Sequence, residues 1–414
     1  MRYTKPALAT IAAIIIAGCQ QDKPELQTAA NNNNAAQAMA QLASAKEGTI
    51  SNASQRQVEP FALFRGPMPT GVAVSRDNRV FVNYPRWGDP VAYSVTEVKN
   101  GQAVPFPDDR ITKLNMDDPQ HSLISVQSVM CDARNRLWIL DTGSINFQPH
   151  LPNATKLIAV DLNTNQVLKT ISFPPDVALP TSYLNDMRFD LGRGSEGTAY
   201  LTDSSDSGPN GIVVVDIASG KSWRRLNHHP STKAEPNFKP IVEGQPLMAR
   251  PPTGPAAYLK MGSDGIALSP DGKTLYYCAL ASHHLYSVST DALADQNKSD
   301  NDVAAAVNDL GDRGFASDGL LCDASGKLYL TDFEHNAIRT RDTNGSYGVL
   351  VSDARLIWPD SMAIGGDGYL YVTANQLNRQ PRFHRGQDLR KQPYVLFRVK
   401  VDAQPSQPGA NRAG

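Results

Sequence analysis

Residues 317–333 read SDGLLCDASGKLYLTDF, and this stretch sets the pattern for the whole chain. An acidic residue and a glycine precede a short apolar run, a turn sequence follows, and a second run rich in Leu, Tyr and Thr completes the unit. Two β-prone runs on either side of a Gly-containing turn are typical of a β-hairpin. Residues 263–280 (SDGIALSPDGKTLYYCAL) and 358–375 (WPDSMAIGGDGYLYVTAN) repeat the arrangement. Repeated hairpins therefore organise the fold.

The hairpin template occurs six times, and every copy opens with a residue whose side chain carries oxygen. The opening residues are Thr70, Gln127, Asn185, Asp264, Asp318 and Asp360. Further alternating runs between the copies supply third and fourth strands. Four antiparallel strands in each of six repeats predict an all-β fold, a six-bladed β-propeller over residues 57–401. A β-helix and an array of β-sandwiches are the alternatives, and the unequal repeat lengths and single repeating hairpin argue against them.

Both ends of the propeller segment are expected to contribute to its last blade. Residues 395–401 (VLFRVKV) supply a third strand, and residues 58–64 (VEPFALF) are placed to add the fourth. Closing the ring in this way removes long exposed sheet edges. The Pro-rich residues 227–262 interrupt the repeat and predict a loop or flap over one face of the ring.

The two ends of the chain differ in composition from the repeats. A positive N-terminus precedes a short apolar run ending in IAGC at residues 16–19, which resembles a bacterial lipoprotein signal. We expect residues 1–18 to be a signal peptide and Cys19 to be lipidated; an ordinary secretory signal is the alternative. Residues 19–56 predict a low-complexity tether and residues 402–414 a disordered tail. These features predict an exported protein that is anchored in a membrane through Cys19 and faces the periplasm or the cell exterior.

Composition and missing motifs exclude several classes of function. The 414 residues have a formal net charge of -1, so no basic surface predicts nucleic-acid binding. The sequence has no nucleophile elbow, zinc-protease or nucleotide-binding motif.

Besides Cys19, the chain has only Cys131, Cys278 and Cys322, each in an apolar run, and a Cys278–Cys322 bridge stays open. We expect a monomer.

The residues that open the repeats predict a ligand-binding ring. The innermost strand of each propeller blade lines the central channel, so equivalent side chains converge at one mouth. Three of the six are carboxylates, which raise one another's pKa unless a cation or hydrogen bonds neutralise them. Oxygen ligands suit a hard ion such as Ca²⁺, and a protonated amine meets the same electrostatic need. The alternative is that these residues only cap turns.

The chain resembles the major royal jelly/Yellow protein family in several motifs that occur in the same order. They are CDARNRLWILDTG (131–143), the run from 156 to 186, AYLTDS (199–204), GIVVVDIASGKSWR (211–224) and DGIALSPDGKTLYYCAL (264–280). The resemblance runs from about residue 60 to residue 400 and implies a six-bladed propeller. Some members of that family bind biogenic amines in the channel, so the resemblance implies a small-molecule ligand.

A more distant resemblance connects the chain with the gluconolactonase/senescence-marker propellers. Those enzymes hold a divalent metal in the channel with one Glu, two Asn-type ligands and one Asp. The resemblance assigns metal-binding roles to Asn185, Asp264 and Asp318, with Asp264 replacing an Asn. Thr70 stands where the family has its Glu, so this chain lacks one ligand.

Three functions are compatible with these observations. The first is a binding protein that holds a small polar or cationic ligand with Thr70, Gln127 and Asp360. The second is a metal-dependent lactone or ester hydrolase, with Ca²⁺ polarising the carbonyl and Asp360 as the catalytic base. The third is a structural or surface-display role in which the ring is inert.

Overall fold

The computed structural model describes residues 56–410 and has the predicted architecture. Within these residues, six four-stranded antiparallel sheets form the blades of a β-propeller. The predicted signal peptide, Cys19 and the tether up to residue 55 lie outside the described residues. No helix in the described part of the chain is long and apolar enough to cross a membrane.

The first three blades follow the chain without interruption. Blade 1 comprises β2 (Val72–Val74), β3 (Val80–Asn83), β4 (Val95–Lys99) and β5 (Gln102–Pro105). Blade 2 comprises β6 (Val126–Cys131), β7 (Arg136–Asp141), β8 (Lys156–Asp161) and β9 (Gln166–Ser172). Blade 3 comprises β10 (Leu184–Asp190), β11 (Thr198–Asp203), β12 (Gly211–Asp216) and β13 (Ser222–Arg225).

The last three blades follow an insertion. Blade 4 comprises β18 (Ser263–Leu268), β19 (Thr274–Ala279), β20 (His284–Ser289) and β21 (Val307–Asp312). Blade 5 comprises β22 (Leu320–Cys322), β23 (Leu328–Asp332), β24 (Ala337–Arg341) and β25 (Tyr347–Ser352). Blade 6 comprises β26 (Pro359–Ile364), β27 (Tyr369–Ala374), β28 (Tyr394–Lys400) and, on its outer edge, β1 (Glu59–Phe64).

The ring closes through β1, as the sequence predicts. This strand pairs antiparallel with β28, from Glu59 opposite Arg398 to Phe64 opposite Tyr394. The innermost strands β2, β6, β10, β18, β22 and β26 each contact the next around the ring, and β26 contacts β2. The first repeat thus meets the last, and the six opening residues surround one axis.

The hydrophobic core is divided among the interfaces between blades. One cluster fills the contact of blades 2 and 3, where Trp138 stacks on Phe189 with ring centroids 4.7 Å apart. Equivalent clusters fill the other interfaces. Because each blade buries its apolar faces against two neighbours, no blade has a complete core by itself.

The insertion forms two short hairpins on the face where the innermost strands begin, which we call the upper face. Its strands are β14 (Ile241–Val242), β15 (Gln245–Pro246), β16 (Met248–Ala249) and β17 (Ala257–Tyr258). Phe238, Val242 and Leu247 pack against Phe333 and Trp358 of blades 5 and 6. This placement agrees with the flap that the sequence predicts.

Helical structure in the described residues is limited to short segments in the connections. The α-helices are α1 (Asp109–Thr112), α2 (Thr290–Ala294) and α3 (Asp300–Ala304). Single 3₁₀ turns occur at Pro230–Thr232, Leu377–Arg379 and Pro381–Phe383.

The segment after β28 differs from the disordered tail that the sequence predicts. Residues 402–410 cross the lower face, where the innermost strands end. The amide of Ala324 donates to the carbonyl of Gln404, and the amide of Leu191 donates to the carbonyl of Pro408, at 2.8 and 3.0 Å. Backbone groups make these bonds, so a composition poor in apolar side chains does not prevent the segment from docking.

Candidate ligand-binding site at the upper face

The opening residue of a repeat stands at a bulge in the innermost strand. In blade 4, Asp264 and Gly265 together oppose a single residue of β19, Cys278. The register shifts at the same place in blades 2, 3 and 6, at Gln127, Asn185 and Asp360. Because an extra residue breaks the alternation of a strand, a bulge changes the direction of a side chain. The repeated bulge therefore orients the residues at the channel mouth.

Threonine hydroxyls of the second strands accept hydrogen bonds from backbone amides at the start of the innermost strands. One of them also donates to the backbone of the next blade. The Oγ1 of Thr331 accepts from the amides of Asp318 and of the following glycine, both at 3.0 Å. The Oγ1 of Thr202 accepts from the amide of Asp186 at 3.1 Å and donates to the carbonyl of Asp264 at 2.7 Å. One hydroxyl thus fixes the bulge of its own blade and the start of the next.

The structure brings three predicted aspartates into one electrostatic cluster. Asp264 and Asp360 are only 3% and 5% exposed, and Asp318 is part-buried. Burial raises the pKa of Asp264 well above its usual range, and the charges of Asp318, Asp186 and Asp360 add to the effect. Burial likewise raises the pKa of Asp318 to about 7, and it raises that of Asp360 well above its usual range. The cluster therefore favours protons or another cation.

Hydrogen bonds stabilise two of these carboxylates but not the third. Trp358 Nε1 donates to Asp318 Oδ2 at 2.7 Å. Asn375 Nδ2 donates to Asp360 Oδ2 at 2.6 Å, and Ser361 Oγ donates to Asp360 Oδ1 at 3.0 Å. Within residues 56–410, no donor makes a hydrogen bond to the carboxylate of Asp264.

The side chains of Thr70, Gln127 and Asn185 make hydrogen bonds within the protein. Asn83 Nδ2 donates to Thr70 Oγ1 at 2.9 Å, and Thr70 is fully buried. Gln127 Oε1 accepts from the hydroxyl of Tyr183 at 2.8 Å. Asn185 Nδ2 donates to the hydroxyl of Ser204 at 3.0 Å. In each of the three, at least one polar atom is already in use, and their predicted ligand roles remain predictions.

Asp186 belongs to the acidic cluster although we did not single it out in the sequence. Its Oδ1 accepts from Ser128 Oγ at 2.7 Å, and its carboxylate lies 3.5 Å from the guanidinium of Arg188. It occupies the second position of its repeat, where the other repeats have a glycine or a serine. Aligning that position across the repeats would have identified Asp186.

A cavity of about 530 Å³ opens on the upper face beside blades 2 and 3. The insertion supplies part of its wall through β17 and the residues that follow it, Leu259 to Met261. Ser204, which accepts the hydrogen bond from Asn185, lines this cavity together with Tyr183. Arg382, from the loop between β27 and β28, also lines it. The cavity therefore adjoins the ring of opening residues.

The three predicted metal-binding side chains match a calcium site only in part. Nowhere in residues 56–410 do three His, Cys, Asp or Glu side chains gather to share a metal ion. Ca²⁺ takes roughly six to eight oxygen ligands. The bond from the amide nitrogen of Asn185 to Ser204 leaves the amide oxygen available, but Asn185, Asp264 and Asp318 together supply fewer oxygens than calcium takes. The assignment of Asn185, Asp264 and Asp318 to a metal remains a prediction, and no reaction step is derived through one.

The cysteines of the propeller take no part in the site. Cys131, Cys278 and Cys322 are all free thiols, so the bridge left open by the sequence does not form. Burial raises the pKa of Cys322 to about 12, which leaves its thiol protonated and unreactive near neutral pH.

Fold and site define the class of protein: a six-bladed propeller with an acidic channel mouth under an insertion. The chain belongs to the major royal jelly protein family, because the family model of that description matches residues 124–406, more than half of the chain. The resemblance noted in the sequence is thereby confirmed.

Curated relatives agree with this assignment. The chain is 29% identical to Major royal jelly protein 1 of Apis mellifera over 240 residues, which cover 55% of this chain and 51% of the relative. It is 24% identical to Protein yellow of Drosophila guanche over 335 residues, which cover 75% of this chain and 56% of the relative. The chain thus spans about half the length of the curated relatives it matches.

Solved structures match the fold. A calcium-binding protein, regucalcin, from Agrobacterium tumefaciens has a TM-score of 0.51 at 14% identity and covers 87% of this chain and 99% of its own. A luciferin-regenerating enzyme has a TM-score of 0.51 at 12% identity and covers 85% of this chain and 99% of its own. At these identities the likeness is one of architecture.

Proposed function

We propose that this chain is an exported, lipid-anchored propeller that binds a small organic cation at the acidic upper mouth of its channel. Its ligand is a small molecule, its membrane contact is the lipid on Cys19, and it acts as a monomer. Nucleic acid is not a partner, since the formal net charge is -1.

The unpartnered carboxylate of Asp264 carries the proposal. This group is only 3% exposed and accepts no hydrogen bond in the described chain, yet it lies near Asp318, Asp360 and Asp186. An unpaired buried charge is costly, so the cluster must hold protons or bind a cation. An ammonium group offers both a positive charge and the hydrogen-bond donors that Asp264 lacks.

Calorimetric titration of the purified propeller with phenethylamine tests this proposal. We expect binding to the wild type and a loss of about tenfold or more in affinity with Asp264→Asn, which removes the charge but keeps the shape. The control is Asp300→Asn, whose parent side chain is 85% exposed and lies in α3, between the two outer strands of blade 4. Equal affinity of all three proteins would contradict a cation site at Asp264.

The metal-dependent hydrolase is the alternative, and the same protein distinguishes it. Bound Ca²⁺ would raise the melting temperature by mass action, and EDTA would reverse the change. If calcium stabilises the wild type but not Asp318→Ala, and lactone hydrolysis requires it, the hydrolase replaces the binding protein. A metal-free protein without turnover leaves the cation-binding function.

Lipid attachment is tested separately in a bacterial host. Radiolabelled palmitate should be incorporated into the full-length chain and not into Cys19→Ser, which should leave the membrane fraction. Label retained in Cys19→Ser would show that another residue carries the lipid, or that the signal is of a different kind.

A further inference from the structure

Arg382 is a cation at the upper face that makes no direct ion pair in the described chain, although the charges of Asp206 and Asp318 act on it. Within residues 56–410, no ion pair or hydrogen bond engages its guanidinium, and its Nε is buried and unsatisfied. The guanidinium instead lies over aromatic rings, 4.7 Å from the centroid of Phe383 and 4.9 Å from that of Phe147. Burial lowers the pKa of Arg382 to about 10, so it stays charged at neutral pH. Arg382 is half-buried with its Nε covered, and buried guanidinium nitrogens ordinarily pair with an anion.

The surroundings of Arg382 provide the rest of a binding site. It lines the cavity of about 530 Å³ together with Phe147 and Tyr183. Many of the other lining groups are hydroxyl-bearing side chains, namely Ser144, Thr181, Ser182, Ser204, Ser205 and Ser207. The charged lining residues besides Arg382 are Lys260 and Asp206, both exposed, so the lining itself holds two cations and one anion, and the ring carboxylate of Asp318 lies close enough to act on Arg382. Such a cavity favours an oxyanion that accepts hydrogen bonds.

The aromatic wall of this cavity is held in a strained backbone conformation. Asn146 and Phe147 both have left-handed backbones, with φ values of 53° and 57°. Asparagine tolerates this region, but a phenylalanine there is uncommon. Phe147 is nevertheless 37% exposed, and its ring stacks on Trp87 with centroids 5.0 Å apart and lies 5.1 Å from the ring of Tyr183. Strain of this kind is concentrated at ligand-binding positions.

We infer that this cavity binds a small organic anion with a planar apolar body, its carboxylate paired with Arg382 and its body against Phe147. The anion site is additional to the proposed cation site: it uses a loop residue of blade 6 and the insertion, not the carboxylates of the ring. Guanidinium presents a fork of donors that matches a carboxylate in two parallel hydrogen bonds. The rings of Phe147 and Tyr183, both in the cavity lining, offer aromatic surface to a planar body.

Calorimetry with matched probes tests the inference. We expect phenylacetate to bind the wild type and its neutral isostere phenylacetamide to bind at least about tenfold more weakly. In Arg382→Gln the two probes should bind with the same affinity. Arg382→Lys should recover part of the affinity, since it keeps the charge but not the fork. Arg385→Gln, an exposed arginine of the same loop outside the cavity, is the control and should bind normally.

Further arms separate the possible outcomes. Phenyl phosphate in place of phenylacetate shows which oxyanion is preferred, and tighter binding of either supports the site. Asp264→Asn should bind phenylacetate normally, which distinguishes this site from the cation site. If Arg382→Gln does not fold, Phe147→Ala, which should also weaken phenylacetate, takes its place. Equal affinity for phenylacetate and phenylacetamide, or no binding of either to the wild type, would overturn the inference.

Discussion

At the scale of single residues, the carboxylates of the acidic cluster lower the stability of the folded protein when they are ionised, because the fold does not neutralise their charge. The folded protein raises the pKa of Asp318 to about 7, from an ordinary value of 3.8, chiefly through burial. Between these two pH values the folded state holds a proton that the unfolded state has released. Stability contributed by this group therefore falls as pH rises from about 4 to about 7.

Asp318→Asn should remove that pH-dependent cost. Its amide keeps an oxygen for the hydrogen bond from Trp358, so we expect the variant to be more stable at pH 8, by on the order of 1–4 kcal/mol. At pH 4 the difference should largely vanish. Urea unfolding at both pH values measures it. A variant that is less stable at pH 8 would mean that the carboxylate already has a cation in the folded protein.

How far the sequence predicts the site also depends on single residues. The repeat predicts that Asp264, Asp318 and Asp360 converge, because each opens the innermost strand of its blade and these strands surround one axis. It cannot predict that Thr70 Oγ1 donates to the carbonyl of Gln127, or that Gln127 Oε1 accepts from Tyr183, since these partners are distant in sequence. Arg382 lies in a loop outside every repeat, so no alignment of the repeats reveals it.

At the scale of elements, the glycines that follow Asp264 and Asp318 control how closely the innermost strands of blades 4, 5 and 6 approach. A Cβ added to Gly319 would lie 2.4 Å from the carbonyl oxygen of Asp360, in the next blade. A Cβ on Gly265 would lie 2.4 Å from the carbonyl oxygen of Asp318. These atoms belong to the backbone and cannot turn aside, so the glycines are required by space between blades 4, 5 and 6.

Gly319→Ala should therefore destabilise the propeller by about 1–3 kcal/mol, the usual cost of overpacking. Gly348→Ala is the control, because its added Cβ would meet only the end of the Thr340 side chain, at 3.1 Å. Thermal unfolding of both variants gives the comparison. Equal melting temperatures would show that the innermost strands can separate without loss.

The sequence predicts where the insertion lies but not the contacts that hold it there. Its proline content predicts a loop over one face, and it does cover the upper face. Its anchoring contacts come from other blades: Glu334 of blade 5 accepts from the amide of Ile241 at 3.0 Å. Glu235 of the insertion in turn accepts from the amide of His283 at 2.9 Å. Periodicity carries no signal for such long-range polar contacts.

At the scale of the whole molecule, the two ends of the described chain serve different faces of the ring. The strand β1 completes blade 6, with Ala62 and Phe64 only 1% and 4% exposed. The segment 402–410 crosses the lower face, where Pro405 to Gln407 line a narrow cavity of about 60 Å³ in the channel. Ring closure is predictable because β1 has a strand pattern. The docking of 402–410 is not, since it depends on backbone hydrogen bonds.

Removing β1 should weaken the protein far more than removing the lower segment. A propeller that begins at residue 66 loses the outer strand of blade 6. The edge of β28 is then unpaired, and apolar surface that β1 covers becomes exposed. We expect a loss of several kcal/mol, since fully burying one Phe side chain alone contributes about 1.5–3 kcal/mol. A propeller ending at residue 401 should lose less, because few apolar side chains leave the core. Urea unfolding of both truncations against residues 56–414 measures the two effects. If both shift the midpoint equally, the ring is held closed by contacts between blades alone, and β1 is an accessory strand.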